Sequence, residues 1–323
     1  GNADTGGDTG VKIPEACLEA TPCVGDLRIT VREELDRLDT CESIDGDLTL
    51  DALNWLEALK LPCLESINGS LTIEENQNLE TIDLTLLHTV SATLSIIDHD
   101  VLENLGLDAL TSVGGSLHIE DNDALLALSD LSSLEFVAET IQISDNYRLR
   151  SLTGLDSITE VDGDLDVSNN ALLPDFTGLH NLTRVGGNVK FQSLGWMESL
   201  DLLSLESIVG SLTIEGNSAA ARMDFPRLHT LGGQLFIADH DALESLDGLG
   251  ALTSVGGSLS ILDNDSMTDI TGFSSLESIG GAAEISDNLS LVSLAGLDNI
   301  TALEGDLTLS SNDSLSSVEG LHN

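Results

Sequence analysis

The sequence is poor in positive charge and in aromatic residues. Of its 323 residues, 11 are Lys or Arg and 56 are Asp or Glu, which gives a formal net charge of −45. Phosphate binding needs a basic surface, so this balance excludes nucleic acid as a partner. Aromatic residues make up only 3% of the chain, so a core has to be built from Leu, Ile and Val. No apolar run is long enough to span a bilayer.

Motifs for cofactors and catalysis are also missing. The sequence has no glycine-rich nucleotide loop and no HExxH zinc motif. The nearest enzyme precedent for the architecture described below is a polysaccharide-cleaving β-helix, whose chemistry needs a base and cations grouped on one face. The few basic residues are scattered along the chain instead. We therefore expect no catalysis and no cofactor.

All four cysteines, Cys17, Cys23, Cys41 and Cys63, lie in the first fifth of the chain. An even, clustered set favours disulfides formed in an oxidising compartment. The separations of 6, 18 and 22 residues fit no CxxC metal pattern. Stacked coils would place Cys41 and Cys63 about 5 Å apart, so we expect Cys41–Cys63 together with Cys17–Cys23. The pair Cys23–Cys41 is the alternative.

The amino end predicts a flexible tether followed by a cap. Residues 1–12 are rich in Gly, Asp and Thr and offer almost nothing to bury. They resemble the segment behind the lipidated cysteine of bacterial surface lipoproteins, and an ordinary secreted protein after signal-peptide removal is the alternative. Residues 13–45 form the expected disulfide-bonded cap. Within it, Val31–Leu38 has the apolar spacing of one short helix that would cover the open end of the core.

From residue 46 to residue 323 the chain repeats one unit. The segment Thr253–Met267 (TSVGGSLSILDNDSM) matches Thr111–Leu125 (TSVGGSLHIEDNDAL) at most positions. The alternating L-x-I pair predicts a short strand, and the unit lacks the apolar spacing of a helix. One unit cannot bury its own leucines, but stacked units can. We therefore expect an all-β parallel solenoid of about 12–13 coils of 23–24 residues, a rod about 60 Å long.

Five positions after the first strand residue, the repeats carry a recurring Asn. We expect an inward asparagine ladder, in which each amide donates to one neighbouring coil and accepts from the other. His99 and His240 occupy two positions of this column and should replace Asn structurally, because they lie six coils apart and could not share a metal. The ladder consists of Asn76, Asn122, Asn146, Asn170, Asn217, Asn264, Asn288 and Asn312.

Carboxylates flank the ladder in most coils. Stacked Asp side chains repel one another unless a cation intervenes, and calcium takes several oxygen ligands. The alternative is turn chemistry, since Asp favours turns and caps backbone amides. If calcium binds, the sequence places it at Asp98, Asp121, Asp239 and Asp263.

Ligand contacts are expected on the outward side chains of the strands. Most of these are small and polar, but the centre of the chain carries larger groups. A break in the repeat over residues 189–227 adds Trp196 and several basic residues, and a decayed repeat is the plain alternative there. The candidate ligand-binding residues are His118, Gln142, Asp166, Lys190, Trp196 and Phe236.

The cap segment Leu35–Leu50 (LDRLDTCESIDGDLTL), followed by repeated GSLxI units with their Asn and Leu positions, resembles the receptor L domain. This is the leucine-rich solenoid of growth-factor and insulin receptors, with longer tandem forms on bacterial and fungal cell surfaces. The resemblance extends from about Cys17 to the end of the sequence. It implies a right-handed solenoid, an extracellular or cell-surface location and no catalysis, but it names no ligand.

Our functional hypothesis is a non-enzymatic surface or secreted module that binds or adheres to a protein or glycan. The alternative is a structural subunit that assembles end to end. The last repeat, with Leu307, Leu309, Leu315, Val318 and Leu321, ends without a cap, so we expect further chain or another subunit to cover it. Membrane association would come only from a lipid anchor at the amino end.

Overall fold

A parallel sheet runs the length of the molecule. The computed structural model describes residues 15–321. The L-x-I segments form one 13-stranded sheet in which each strand pairs with that of the next repeat. We number its strands β1–β13 in chain order, and coil n is the repeat that contains strand βn. Their bounds are β1 Leu27–Ile29, β2 Leu48–Asp51, β3 Leu71–Glu74, β4 Leu94–Ile97, β5 Leu117–Glu120, β6 Ile141–Ser144, β7 Leu165–Ser168, β8 Val189–Gln192, β9 Leu212–Glu215, β10 Leu235–Ala238, β11 Leu259–Leu262, β12 Ala283–Ser286 and β13 Leu307–Ser310.

The coils stack without a shift in register. Leu94 lies opposite Leu117 and Ile96 opposite Ile119, so equivalent positions of successive repeats meet. The first and third side chains of a strand point into the core, as in β3, where Leu71 is fully buried. Burying one such side chain contributes about 1.5–3 kcal/mol. The predicted all-β parallel solenoid with about 13 coils is confirmed.

Shorter strands line the other sides of the coils. Six pair in parallel at the amino-terminal end: Thr21–Val24, Cys41–Asp45, Ser66–Ile67, Thr89–Val90, Ser112–Val113 and Phe136–Val137. Seven continue this side: Glu160–Val161, Arg184–Val185, Ser207–Ile208, Thr230–Leu231, Ser254–Val255, Ser278–Ile279 and Ala302–Leu303. Two further pairs join Ala58–Lys60 with Thr81–Asp83 and Ser199–Asp201 with Arg222–Asp224.

Close coil contacts explain the glycines of the unit. Gly178 has φ +113°, and a Cβ there would lie 2.1 Å from the carbonyl oxygen of Leu152 in the preceding coil. No side chain fits at such a distance, so the turn can pack only with glycine.

Helical structure is confined to short segments. The helix α1 spans Arg32–Leu35 and continues as a 3-10 helix at Asp36–Leu38. Leu35 and Leu38 are buried in the core at the amino-terminal end, while Val31 is the N-cap and is 46% exposed. The other 3-10 helices are Glu15–Glu19, Ser129–Leu131 and Thr271–Phe273. The cap therefore contains the expected short helix, and the proposed tether, residues 1–12, lies outside the described residues.

The disulfides differ from our preferred pairing. The structure joins Cys23 to Cys41, with Cα atoms 5.6 Å apart, and Cys17 to Cys63, with Cα atoms 5.2 Å apart. The expected pairs Cys41–Cys63 and Cys17–Cys23 are wrong, whereas the alternative Cys23–Cys41 is confirmed. The reason is that Thr21–Val24 adds a strand parallel to Cys41–Asp45, with Thr21 opposite Cys41, and this brings Cys23 next to Cys41.

The asparagine ladder is present inside the turns. Of its eight members, seven are fully buried, and Asn312 in the last coil is partly buried. Asn170 is representative. Its Oδ1 accepts the backbone N–H of Asn146 at 3.1 Å, and its Nδ2 donates to the carbonyl of Ile143 at 2.8 Å. The same Nδ2 donates to the Ser168 carbonyl of its own coil at 3.0 Å.

The direction of these bonds corrects our expectation. We expected each amide to donate to one neighbouring coil and to accept from the other. In most coils both ends of the amide reach the preceding coil. Only near the carboxyl end does a side chain also donate forwards, as from Asn264 Nδ2 to Asn288 Oδ1 at 3.2 Å. Each asparagine therefore fastens its own coil to the one before it.

Histidine replaces asparagine twice; His240 makes both bonds of the asparagine, whereas His99 makes only the one through Nδ1 and its Nε2 is buried without a hydrogen-bond partner among residues 15–321. Nδ1 of His240 accepts the backbone N–H of Asn217 at 3.3 Å, and its Nε2 lies 3.2 Å from the carbonyl of Ile214. A neutral ring with its proton on Nε2 satisfies both contacts. Nδ1 of His99 likewise accepts the N–H of Asn76 at 3.3 Å. Burial lowers the pKa of His99 to about 4 and also lowers the pKa of His240, against the opposing effect of nearby backbone hydrogen bonds.

We expect Asn146→Ala to destabilise the protein by about 1–3 kcal/mol, because the N–H of Asn122 and the carbonyl of Ile119 would lose their partners. Thr72→Ala should cost much less, because Thr72 faces outwards from the sheet. Denaturant unfolding of the two variants measures the difference. Equal losses of unfolding free energy would contradict the ladder.

We expect the protein to lose stability as the pH falls from about 6.5 to about 4. The folded pKa of His99, about 4, lies below the unfolded value near 6.5, so the unfolded chain binds the proton first. The contribution of His99 is complete above pH 6.5 and decreases by about 3 kcal/mol by pH 4. Unfolding curves of the wild type and of His99→Asn isolate this effect. Parallel pH dependences of the two proteins would contradict it.

Candidate ligand-binding face

The outer face of the long sheet brings most of the predicted ligand residues together. His118 lies opposite Gln142, Gln142 opposite Asp166 and Asp166 opposite Lys190 on the consecutive strands β5–β8. Thr213 on β9 lies opposite Lys190, and Phe236 on β10 lies opposite Thr213. We call these six residues the central row: His118, Gln142, Asp166, Lys190, Thr213 and Phe236.

Hydrogen bonds hold the first part of the central row in place. Oε1 of Glu120 lies 3.0 Å from Nδ1 of His118, and Oε2 of Glu120 accepts Nε2–H of Gln142 at 2.8 Å. Ser144 donates its hydroxyl to the same oxygen at 3.4 Å. One carboxylate thus orients side chains of two neighbouring strands, which leaves them little freedom to lose when a ligand binds.

Opposite charges lie next to each other in the second part of the central row. Nζ of Lys190 lies 3.6 Å from Oδ2 of Asp166, and the other oxygen of this carboxylate, Oδ1, accepts the hydroxyl of Ser168. The side chain of Lys190 is 41% exposed, so this ion pair contributes little to stability. Its charges remain accessible to a partner. Phe236 adds a partly exposed ring further along the same face.

Trp196 does not belong to this face. It lies in the turn that follows β8, two residues beyond the ladder position of coil 8, and it is 63% exposed. Trp196 was predicted to bind ligand together with residues of the central row because all of them lie near the irregular middle of the sequence. The structure separates them into two surfaces.

Sequence reasoning missed the second outward column of the sheet. In β5 and β8 the second and the fourth side chains are both partly exposed, whereas the fourth residues Ser144, Ser168 and Ala238 of β6, β7 and β10 are buried. Glu120, Gln192 and Glu215 occupy this fourth position, and Gln192 donates to Glu215 at 3.1 Å. The strict alternation of a strand was the available signal, and it predicts both columns.

The carboxylates beside the ladder occupy a special backbone position. The residue before each ladder position has a positive φ, for example 61° at Asp98, 51° at Asp121 and 54° at Asp263. Asp and Asn tolerate this left-handed conformation better than most residues, so the turn itself explains the column. Partial burial and then the neighbouring Asp145 and Asp98 raise the pKa of Asp121. Burial and the neighbouring Asp287 and Asp239 likewise raise the pKa of Asp263.

Metal binding at these aspartates has no further support. Within residues 15–321, no group of three or more His, Cys, Asp or Glu side chains is placed to hold a metal ion. Each carboxylate of the column stands next to its counterparts along the rod and has no converging set of ligands around it. Calcium at Asp98, Asp121, Asp239 and Asp263 stays a prediction from the sequence.

Part of the chain matches a known protein family. The family model described as Receptor L domain matches residues 40–137, which run from the cap into coil 5. A search of curated proteins found no match for this chain. Receptor L domains are non-enzymatic ligand-binding domains, and they and their disulfides are typical of extracellular or cell-surface proteins. No helix in the described part of the chain is long and apolar enough to cross a membrane. Over residues 40–137 the chain is similar to the receptor L domain, and its stacked coils and disulfide-bonded cap fit a receptor L-domain-like repeat solenoid.

Proposed function

We propose that the protein is a cell-surface or secreted binding module that recognises a protein ligand through the central row. The observation that carries the proposal is the composition of this row. From β5 to β10 the second residue of the strand is His, Gln, Asp, Lys, Thr and Phe in turn, whereas from β2 to β4 it is only Thr or Ser. A sheet that only needed a solvated face would not require this change.

The size of the face suits a protein partner. Six strands at ~4.8 Å each span about 24 Å between the first and the last, and Glu120, Gln192 and Glu215 add partly exposed side chains beside the central row. A standard protein interface needs about 800 Å² from each partner. The face of the six strands, about 24 Å by one strand of ~13 Å, supplies part of this area, and the turns beside it would supply the rest.

The chemistry of the face also suits recognition. Phe236 offers an apolar anchor, and the bonded group of His118, Gln142 and Glu120 offers fixed donors and acceptors. Interfaces of this kind concentrate their binding energy in a few ordered side chains. The oxidised cap supports an extracellular location, and a lipid anchor at the amino end is part of the proposal.

A second candidate function is end-to-end assembly. In coil 13, Leu307, Leu309 and Leu315 pack against the core but stay partly exposed. A cavity of about 280 Å³ opens beside them, lined by Ile279 and Ile300 among others. A second copy that covered this end would bury these side chains and continue the sheet.

A photo-crosslinking residue placed at Gln142 tests the main proposal, with Thr72 as the matched outward position outside the central row. We expect the Gln142 probe to capture one protein, in a saturable manner, from the cell-surface or secreted fraction of the producing organism. The Thr72 probe should capture none. Phe236→Ala should weaken binding of that protein about 10-fold, because it removes the anchor, and Thr72→Ala should leave it unchanged.

Equal capture from both positions, or full affinity after Phe236→Ala, would contradict the proposal. Sedimentation of the free protein separates the second candidate. Long assemblies that Leu309→Glu dissolves would favour the structural subunit instead.

A further inference from the structure

The stripe of aspartates beside the ladder is interrupted over three consecutive coils. In coils 4–6 and 10–12 the residue before the ladder position is Asp, but in coils 7–9 it is Asn169, Ser193 and Gly216. The three segments Asn169–Leu172, Ser193–Trp196 and Gly216–Ala219 contain no carboxylate at all. We call these segments the acid-free window.

The backbone does not require this loss of charge. The left-handed conformation continues through the window, with φ values of 56° at Asn169, 56° at Ser193 and 65° at Gly216. Aspartate adopts the same conformation in the coils on both sides. Ser is a poorer choice than Asp for a positive φ, so local stability does not explain Ser193.

An exposed indole stands inside the window. Trp196 is 63% exposed, and its backbone N–H donates to the carbonyl of Ala171 at 3.1 Å, which fixes it against coil 7. Leu172 and Arg148 hold the equivalent position in coils 7 and 6. At ~4.8 Å per coil, the backbones of Arg148 and Trp196 lie about 10 Å apart along one line.

Unpaired guanidinium groups border the window on both sides. Arg148 and Arg150 lie in coil 6, directly before the window, and Arg222 lies in coil 9, the last coil of the window. All three side chains are exposed. None forms an ion pair with any of residues 15–321, whereas Arg184, Lys190 and Arg227 do. The sequence has no Lys or Arg at residues 61–147 or 228–323. Within residues 15–321, Arg32, Arg37 and Lys60 near the amino end also lack an ion pair, so Arg148, Arg150 and Arg222 are the unpaired cations of the middle of the rod.

We propose that the acid-free window binds a polysaccharide that carries carboxylate groups, a uronic-acid glycan, laid along the axis of the rod. The face of Trp196 would stack on a sugar ring, and Arg148 and Arg222 would bind carboxylates through paired N–H donors. This surface lies on the turns after the strands, so the proposal goes beyond the protein site on the central row and does not depend on it.

Two other ligand classes fit the window less well. A neutral sugar needs acceptors for its hydroxyl groups, and the window has lost the carboxylates that could accept them. A protein partner needs an interface above about 1,000 Å² in total, but Trp196 and Leu172 are the main apolar groups here. The combination of one exposed ring, flanking arginines and no acid favours an anionic sugar.

The net charge of −45 does not prevent this binding. At physiological ionic strength, charges more than ~8 Å apart are largely screened. Asp145 and Asp239 stand two coils from Ser193, about 10 Å away. Glu198, two residues beyond Trp196, is the nearest exposed carboxylate along the chain and borders the window. Local groups therefore decide the attraction.

Calorimetric titration of the protein with oligomers of polygalacturonate, alginate and hyaluronate, at ~0.15 M salt, tests the proposal. We expect at least one of the three to bind, and its carboxyl-reduced form not to bind. Ser193→Asp restores the aspartate of the other coils and should weaken binding at least ~10-fold without loss of thermal stability. Ser311→Asp, at the same position of coil 13, is the matched control and should change affinity less than about twofold.

The aromatic contribution is tested in the same way. Trp196→Ala should weaken binding at least ~10-fold, and Val101→Ala, at the equivalent position of coil 4, should not. Phe236→Ala on the central row should leave glycan binding intact, which keeps this result separate from the protein site.

Several results would overturn the proposal. These are no binding of any of the three glycans up to ~1 mM, equal binding of the carboxyl-reduced polymer, or full affinity in Ser193→Asp. Binding of poly-glutamate that depends on Trp196 would also overturn it and assign the window to an acidic peptide.

Discussion

In eight coils an asparagine amide inside the turn binds the coil before it, and in coils 4 and 10 a histidine ring takes its place. The regular stacking of the turns depends on these bonds. An asparagine inside the turn accepts a backbone N–H and donates to a backbone carbonyl of the preceding coil, as Asn170 does with Asn146 and Ile143. Backbone groups that a tight turn leaves unpaired would otherwise be buried without partners, at a cost of about 1–3 kcal/mol each. Strand pairing sets the coil spacing, and the ladder satisfies the turn backbone that this pairing leaves without partners.

Because the coils are evenly spaced, each outward side chain has fixed neighbours in the coils before and after it. The central row lies on the sheet face of the rod, and the acid-free window lies on its turn face. Both proposed sites consist of side chains that the coil spacing sets side by side, such as His118 with Gln142 and Arg148 in line with Trp196. In a solenoid of this kind, substitutions of single outward residues change the binding surface, because these side chains do not pack in the core.

The sequence predicted the fold well because the repeat is a physical unit that appears many times. The strand positions, the ladder and the number of coils all followed from one alternation and one recurring Asn. The pairing of Cys41 with Cys63 failed because the cap does not repeat, and the extra strand Thr21–Val24 left no periodic signal. The outward column at the fourth strand position, with Glu120, was not predicted because the repeated L-x-I pattern covers only the first three residues of each strand. The split between Trp196 and the central row needed the turn geometry, which the sequence does not give.

Hydrogen exchange at the backbone N–H of Asn146 tests the central claim most directly, because this group donates to Asn170 Oδ1 at 3.1 Å. In Asn170→Ala, the account predicts that the Asn146 amide exchanges at least about 10-fold faster, since its buried acceptor is gone. The amide of Asn288, which donates to Asn312 Oδ1 far along the rod, should keep its rate. An unchanged rate at Asn146, or a change confined to the following coil at Leu194, would contradict the backward-reaching ladder.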